Sequence, residues 1–486
     1  MIRAEWVKFR SVRGWVVAVL VAAAAIAGFA VAGGNQGSCY GNSCAQLTGP
    51  GGEAVSDSFY FVHQALTGNG TITARVTSLT SAVPLPRGSG TRRVTVPWAK
   101  AGIIVKASLA GGSAYAAIMV TGSHGIRMQD DYTGDVAGPA RPAGWLRLVR
   151  SGPVITGFAS ADGARWTRVG AVTLPGLPAT VQGGLFAASP QYTQASMGVA
   201  SISGSPSQST AVFDRVALSW PVAAWTGTDV DGSSGPAAGP ATGYARAGGR
   251  FTVTGSGDIA PATSGPSGLG VTPAQTLTGA FVALIILAVV GAMFVTAEYR
   301  RGLIRVTLAA CPRRGRVLAA KAVVAGLVAF AAALAGTAVA VPFGQRVLRS
   351  HGVYLPPLTG LTETRMIAGT AAALALCAVL AVAIGTVVRR GAAAVAAVVA
   401  LIAAPYVLAV TTPVLPLGLA DWLMRVTPAA AFAVEQTVVQ YPQVDDVYAP
   451  AYGYFPLAPW AGFAVLCGWA VVFLALAAVT LNRRDA

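Results

Sequence analysis

Six stretches of this 486-residue chain, at about 15–33, 276–297, 319–342, 366–388, 391–415 and 457–481, are apolar over the length that a helix needs to cross a bilayer. Roughly 20 mainly apolar residues cover about 30 Å of hydrocarbon, so the sequence predicts six transmembrane helices. Composition agrees, with 54% of residues apolar and 11% charged, against about 25% charged in an ordinary soluble domain. An even number of spans puts both ends of the chain on one side.

The basic residues say which side, because Lys and Arg next to spans stay in the cytoplasm. The segments before span one, between spans two and three, between four and five, and after six carry fifteen Lys or Arg against three acids, Glu5, Glu298 and Asp485. The loop 416–456 instead sets Arg425 among Asp421, Glu435, Asp445 and Asp446. Cytoplasmic termini follow, in a multi-pass protein of a bacterial cell membrane with residues 34–273 outside the cell. The net charge of +16 is then an orientation signal, and no nucleic-acid partner is needed to explain it. Arg far exceeds Lys, and Ala, Gly and Val dominate, the imprint of a GC-rich, actinobacterial genome. A cleaved signal peptide ending near Ala30-Val31-Ala32-Gly33 is the rival reading of the first span. It fits less well, because the run is long and the segment before it has content of its own. Ile2, Trp6 and Phe9 fall on one helical side with Arg3 and Lys8 away from it, as in an interfacial amphipathic helix.

Residues 34–273 hold no span and shift to Gly, Ser, Thr and Pro, with short alternating runs between turn residues such as Asp162-Gly163. That pattern predicts an all-β sandwich large enough to bury its own core, tied to the second span by the Pro/Gly/Ser tract 261–273. Cys39 and Cys44 close a short loop on the exported side, where they are either a disulfide or two free thiols. Tyr132, Trp145 and Trp166 are candidate sugar contacts, with core packing as the alternative. Asp130, Asp131 and Asp135 are either a calcium cluster or a solvated acidic turn. The three histidines, His63, His124 and His351, are too widely spaced to form a metal motif, and neither a metal site nor a catalytic centre is expected. No span carries a charged group away from its ends, which argues against a proton-relay carrier. A pathway lined by small polar groups such as Thr370, Thr386 and Thr411 would suit an amphiphilic substrate.

The strand sequence Phe59-Tyr-Phe61, Gly70-Thr-Ile-Thr-Ala-Arg-Val76, Lys100-Ala-Gly-Ile103, Trp145-Leu-Arg-Leu148, Ala161-Asp-Gly163 with Trp166, and Phe213-Asp-Arg-Val216 resembles concanavalin-like sandwich domains over about residues 53–220. Gly249–Ala260 resembles the strand that opens such domains. Here it comes last, and it is expected at the sheet edge.

Residues 298–318 concentrate the cytoplasmic charge, with Glu298, Arg301 and Arg305 at helical spacing on one face. The run Glu298-Tyr-Arg-Arg-Gly-Leu-Ile-Arg-Val-Thr-Leu308, then Pro312-Arg313-Arg314 and Lys321 entering the next span, resembles the cytoplasmic loop of type-2 ABC transporter permeases. Arg3-Ala-Glu-Trp-Val-Lys-Phe-Arg-Ser-Val-Arg13 resembles their elbow helix (residues 1–14), and Asp421–Phe432 their re-entrant hairpin before the last span. The inserted sandwich departs from the compact family layout. The resemblance implies a membrane-spanning permease subunit, not itself an enzyme, exporting a hydrophobic or amphiphilic substrate. Glu298, Tyr299, Arg300, Arg301, Gly302, Arg305, Pro312, Arg313 and Arg314, with Glu5, Trp6, Lys8 and Arg10 of the elbow, would then dock a separate cytoplasmic ABC ATPase that holds ATP and Mg. A second permease chain, identical or different, and the lipid bilayer would complete the assembly. No Gly-x-x-x-x-Gly-Lys-Ser/Thr phosphate loop occurs in the chain itself. The alternatives are a membrane-anchored cell-surface glycan-binding or sensor protein, for which no cytoplasmic output domain stands out, and a membrane-embedded enzyme, for which no catalytic groups within spans stand out.

Overall fold

The computed structural model describes residues 1–34, 46–85, 90–139, 144–195, 202–221, 223–230, 242–265, 269, 271–310, 313–411 and 415–483. Cys39, Cys44 and Pro312 lie outside these residues. Helix α1 (Ile2–Ser11) turns at Val12, whose backbone is extended, into α2 (Arg13–Gly34). After the β region come α3 (Thr278–Arg300), the short α4 (Leu303–Ala310) and the 37-residue α5 (Arg314–Ser350). Helix α6 (Gly360–Thr364) runs through a π turn into α7 (Thr370–Val388), and α8 (Gly391–Val398) runs through another into α9 (Ala404–Tyr406). Helix α10 (Leu417–Val426) meets the 3-10 helix Pro428–Glu435 at 98°, before α11 (Pro459–Arg483). Among the described residues, six helical runs are long and apolar enough to cross a membrane, matching the six predicted spans. The bent pair falls where the sequence resembles a re-entrant hairpin.

Helix α7 lies at the centre, packed against α3, α5 and α11. Its small residues allow the close approach on which helix association in lipid depends. A Cβ at Gly291 of α3 would lie 2.7 Å from the Ala378 carbonyl oxygen of α7.

Among the described residues, nineteen strands lie between α2 and α3. They are β1 (Val55–Asp57), β2 (Phe59–Thr67), β3 (Gly70–Pro84), β4 (Thr91–Val94), β5 (Lys100–Lys106), β6 (Tyr115–Thr121), β7 (Ile126–Asp130), β8 (Gly134–Ala137), β9 (Trp145–Ser151) and β10 (Val154–Ser160). They continue as β11 (Thr167–Thr173), β12 (Thr180–Ala188), β13 (Tyr192–Ala195), β14 (Ile202–Ser205), β15 (Gln208–Leu218), β16 (Thr226–Val230), β17 (Gly243–Ala247), β18 (Arg250–Ser256) and β19 (Ile259–Pro261). An eight-stranded sheet runs β11-β10-β9-β3-β15-β18-β17 with β4 beside β3, and faces a seven-stranded sheet running β16-β2-β12-β5-β6-β7-β8. Alternate residues of both sheets, among them Val62, Ile72, Ile103, Leu146, Leu185 and Phe213, fill the space between them.

One expectation is corrected. Gly249–Ala260 does not lie at the edge of its sheet, because β18 sits between β15 and β17. Gly248 and Gly249 both have positive φ, 55° and 76°, which lets the chain turn tightly between β17 and β18. The short, largely exposed β17 takes the edge.

The outer face of the seven-stranded sheet is covered by the first and last strands of the sandwich region. β1 and β19 pair into a two-stranded ribbon, and Val55 and Ile259 from it bury Phe59, Phe61, Ile104, Tyr115 and Phe186. Two fully buried lysines fasten the ribbon down. Lys106 Nζ donates to Asp57 Oδ2 of β1 at 2.7 Å and to the Ser113 carbonyl at 3.1 Å, while Lys100 Nζ donates to Asp258 at 2.6 Å and to the Ile259 carbonyl of β19 at 2.8 Å. Burial pulls the Lys106 ammonium below the ordinary lysine range, and Asp57 opposes that shift. Breaking such a buried pair strands a charge and costs about 3–5 kcal/mol, whereas neutralising both members is far milder. Lys106→Met alone should therefore lower the thermal stability of the sandwich more than Lys106→Met combined with Asp57→Asn, as hydrogen exchange across β1 and β5 would report.

Candidate functional site

At the end of the bundle opposite the sandwich, four charged side chains from three helices form a closed ring. Lys321 Nζ of α5 donates to Glu5 Oε2 of α1 at 2.7 Å and pairs with Glu298 Oε1 of α3 at 2.8 Å. Lys8 Nζ of α1 donates to Glu5 Oε1 at 2.9 Å and to the same Glu298 oxygen at 3.1 Å. Each ammonium thus bridges two carboxylates and each carboxylate meets two ammoniums. Glu5, Glu298 and Lys321 are 1%, 7% and 2% exposed, and the alternating, net-neutral arrangement is what makes such burial tolerable. Phe9, Trp15 and Phe294 pack around the ring with centroids 5.4–5.7 Å apart, and Lys321 Nζ lies 4.5 Å from the centre of Phe294.

Burial alone would raise the Glu5 carboxyl, yet Lys321 and Lys8 hold it below the usual carboxylate range. Burial would lower the Lys8 ammonium, yet Glu5 and Glu298 raise it. The depressed carboxyl contributes stability above its unfolded value of about 4.3, and that contribution is lost as pH falls through the lower folded value. The raised ammonium contributes below about 10.4, and that is lost as pH rises through the higher folded value. Glu5 and Lys8 are therefore both charged throughout the neutral range.

Helix α4 hangs from the same construction. Lys8 Nζ also donates to Thr307 Oγ1 at 3.2 Å, and Ile304 packs with Val317 and Tyr299. Gly302, at φ 68°, ends α3 in a left-handed turn, a conformation that glycine adopts without a Cβ penalty. This break corrects the expected shared face of Glu298, Arg301 and Arg305. Glu298 turns into the ring, whereas Arg301 and Arg305 are exposed, as are Arg10, Arg300 and Arg313. Tyr299 is half-buried under the Arg389 guanidinium, 5.1 Å from its ring centre, and Arg314 Nη1 donates to the Leu481 carbonyl at 2.6 Å. In α1 the packed face is Glu5 and Phe9, with Ile2 and Trp6 exposed.

Beside the ring opens a groove of about 1170 Å³ between α1, α2, α3, α4 and α8. Trp15, Met293, Leu303, Val306 and Val395 give it apolar walls, while Lys8, Glu298 and Arg301 lie at its polar margin. Glu298 Oε2 is buried without a protein partner.

The remaining candidates do not assemble. Tyr132 is buried beside Lys106, its hydroxyl 3.3 Å from Nζ, on the opposite sheet from Trp145, so the three aromatics form no common platform. Asp131 accepts from the Tyr115 amide and Asp135 pairs with Arg127. Among the described residues, no three His, Cys, Asp or Glu side chains gather around a metal position. Thr386 bonds back to the Val382 carbonyl of its own helix, and Thr370 donates to Glu435 at 3.3 Å. Glu435 is 5% exposed, packed into the helical body at the end of the 3-10 helix Pro428–Glu435. Sequence reading missed that burial, as it missed Lys100 and Lys106, whose even spacing on one strand was the available signal.

A family model described as ABC-2 family transporter protein matches residues 7–486. No curated protein matches the chain. Among solved structures, a functionally unknown protein from Saccharomyces cerevisiae aligns at 16% identity and TM-score 0.22, covering 37% of this chain and 83% of that one. SCP-B, a member of the eqolisin family of peptidases solved with the tripeptide Ala-Ile-His, aligns at 9% identity and TM-score 0.25, covering 40% of this chain and 98% of that one. Similarity at that level carries no argument about the sandwich.

The ring makes an asymmetric prediction. Lys321→Met leaves two buried carboxylates facing one half-exposed ammonium and should cost about 3–5 kcal/mol, whereas Lys8→Met removes a partly solvated partner and should cost about 1 kcal/mol. Faster hydrogen exchange in α1 for Lys321→Met than for Lys8→Met is the expected reading.

Proposed function

The chain belongs to the ABC-2 family of transporter proteins, and from that premise we propose that it is a permease subunit powered by a separate cytoplasmic ATPase. The observation that carries the proposal is the ion ring, which fixes α1 and α4 side by side as one polar platform with exposed arginines. Arg300, Arg301, Arg305 and Arg313 supply a cationic surface for an acidic groove on the ATPase, which would hold the ATP and Mg. In this reading the ring end and both termini are cytoplasmic, in keeping with the distribution of Lys and Arg, and residues 34–273 are outside the cell, folded as a concanavalin-like sandwich.

The groove beside the ring suits a hydrophobic or amphiphilic substrate. Its apolar walls would take the tail, and Lys8 and Arg301 a polar head. A second permease chain would pack against the exposed apolar flanks of α2 and α11, where Leu20, Val21, Trp460 and Val471 are open. Export is what the family resemblance implies, and a groove at the cytoplasmic end is where an exported substrate would enter.

Glu298 is unsuitable for testing the docking surface, since its loss would also break the ring. Arg301→Glu with Arg305→Glu spares the ring. Tagged full-length protein in mild detergent should co-purify an ATPase, and the double variant should lose about tenfold or more of that activity while retaining its thermal stability. Equal ATPase recovery with both proteins would remove α4 from the coupling surface.

A further inference from the structure

The two sheets of the sandwich carry charge unequally. The seven-stranded sheet has three basic residues, Lys100, Lys106 and Arg127, each in an ion pair. The strands of the eight-stranded sheet carry nine arginines and one acid, Asp214.

Strand alternation sends the decisive arginines outward. Leu146 and Leu148 point into the core, so Trp145 and Arg147 face the other way. Pairing register sets Arg168, Phe158, Arg147 and Thr73 in one row across β11, β10, β9 and β3. The adjacent row contains Trp145, Arg75 and Asp214. The Arg147 guanidinium lies 3.8 Å from the centre of the Trp166 ring and donates from Nε to Thr73 Oγ1 at 3.1 Å. Arg75 is taken up by Asp214, with Nε to Oδ1 at 2.7 Å. Arg168 is exposed.

Crowding guanidinium groups on one pleated face opposes folding through like-charge repulsion, and one carboxylate does not neutralise them. A guanidinium held flat on an indole, however, keeps its N–H fork aligned for a carboxylate or phosphate. Arg147 and Arg168 lie two strands apart, about 10 Å, with Phe158 between them and Trp166 alongside. The arrangement alternates cationic forks with apolar ring faces. It also faces away from the helices. The hydrogen bonds joining the sandwich to the helical half start from the ribbon and its flanking segments and from the β7–β8 turn. Tyr354 Oη donates to the Gly52 carbonyl at 2.7 Å, Gln443 Nε2 donates to the Thr133 carbonyl at 3.2 Å, and Thr263 bonds Asp446.

We propose that this outer face binds an anionic polysaccharide of the cell envelope, with Arg147 and Arg168 taking its acidic groups and Trp166 a sugar face. The inference rests on the reading that residues 34–273 lie outside the cell.

The test uses full-length protein in phosphatidylcholine nanodiscs passed over immobilised polygalacturonate, with neutral dextran as the reference surface. Wild type should bind polygalacturonate and not dextran, with affinity falling as salt rises. Arg147→Gln with Arg168→Gln should weaken binding about tenfold or more, and Trp166→Ala should weaken it too. Arg346→Gln, an exposed arginine at the outer end of α5, should leave it unchanged, and unchanged melting of every variant excludes misfolding. Absence of binding, equal binding to dextran, or loss with Arg346→Gln as large as with the sheet arginines would overturn the proposal. Tighter capture of phosphatidylserine vesicles through the same arginines would also overturn it, in favour of a lipid surface. The assay needs no ATPase, so its failure leaves the permease reading standing, and loss of the ATPase partner leaves this one standing.

Discussion

A ring of two carboxylates and two ammoniums, closed between α1, α3 and α5, fixes the end of the molecule from which everything else is arranged. Helix α1 has little else to hold it. Ile2 and Trp6 are exposed, and apart from Phe9 its buried side chain is the charged Glu5. The ring alternates two carboxylates with two ammoniums, so removing any member leaves its partners unmatched where water is scarce. Because Lys8 also reaches Thr307, α4 depends on the same four groups. The positions of four helices are therefore mutually conditional, which an interface made only of apolar contacts, tolerant of sliding, would not achieve.

The same physics recurs at the far end. The sandwich is inserted between α2 and α3, which are themselves neighbours, so the chain must leave and return at closely spaced points. β1 and β19 satisfy that requirement by pairing with one another, and Lys106 and Lys100 then anchor one strand each. Apolar packing of Val55 and Ile259 supplies the contact area, but the buried ion pairs select the register, because a slip of one residue would turn Asp57 away from Lys106. The sandwich is thus held on the helical half as well as tethered to it.

What the sequence made legible follows from how local each signal is. Spans could be read because the apolar run and the span are the same residues, and most strands could be read because inward and outward residues alternate within five to ten positions. Glu5, Lys8, Glu298 and Lys321 each stood out singly, yet their union did not, since Glu5 and Lys321 are 316 residues apart and no local period encodes that pairing. Gly302 was visible as part of a motif, but its consequence, the separation of Glu298 from Arg301, required knowing its left-handed φ. Strand β17 was missed because Gly243-Tyr-Ala-Arg-Ala247 exposes nearly every side chain and so lacks the alternation that marks a half-buried strand. The burial of Glu435 was missed for the opposite reason, since a charged residue in a loop-like stretch reads as solvated until α7 is seen to bond it through Thr370.

Helix α5 connects the two ends. Its 37 residues extend about 55 Å at 1.5 Å per residue, well beyond the roughly 30 Å of a hydrocarbon layer and beyond its headgroups as well. Its first turns carry Lys321 into the ring. Just after its last turn, Tyr354 reaches Gly52 beside the ribbon. A helix that long, gripped by charge at one end and joined by a hydrogen bond at the other, resists bending over most of its length, although Pro342 interrupts its bonding ladder near the sandwich. A tilt imposed at the ring would therefore be delivered to the base of the sandwich as a displacement rather than absorbed within the bundle. The inserted domain is placed to feel what happens at the ring, and an account of transport by this protein has to include it.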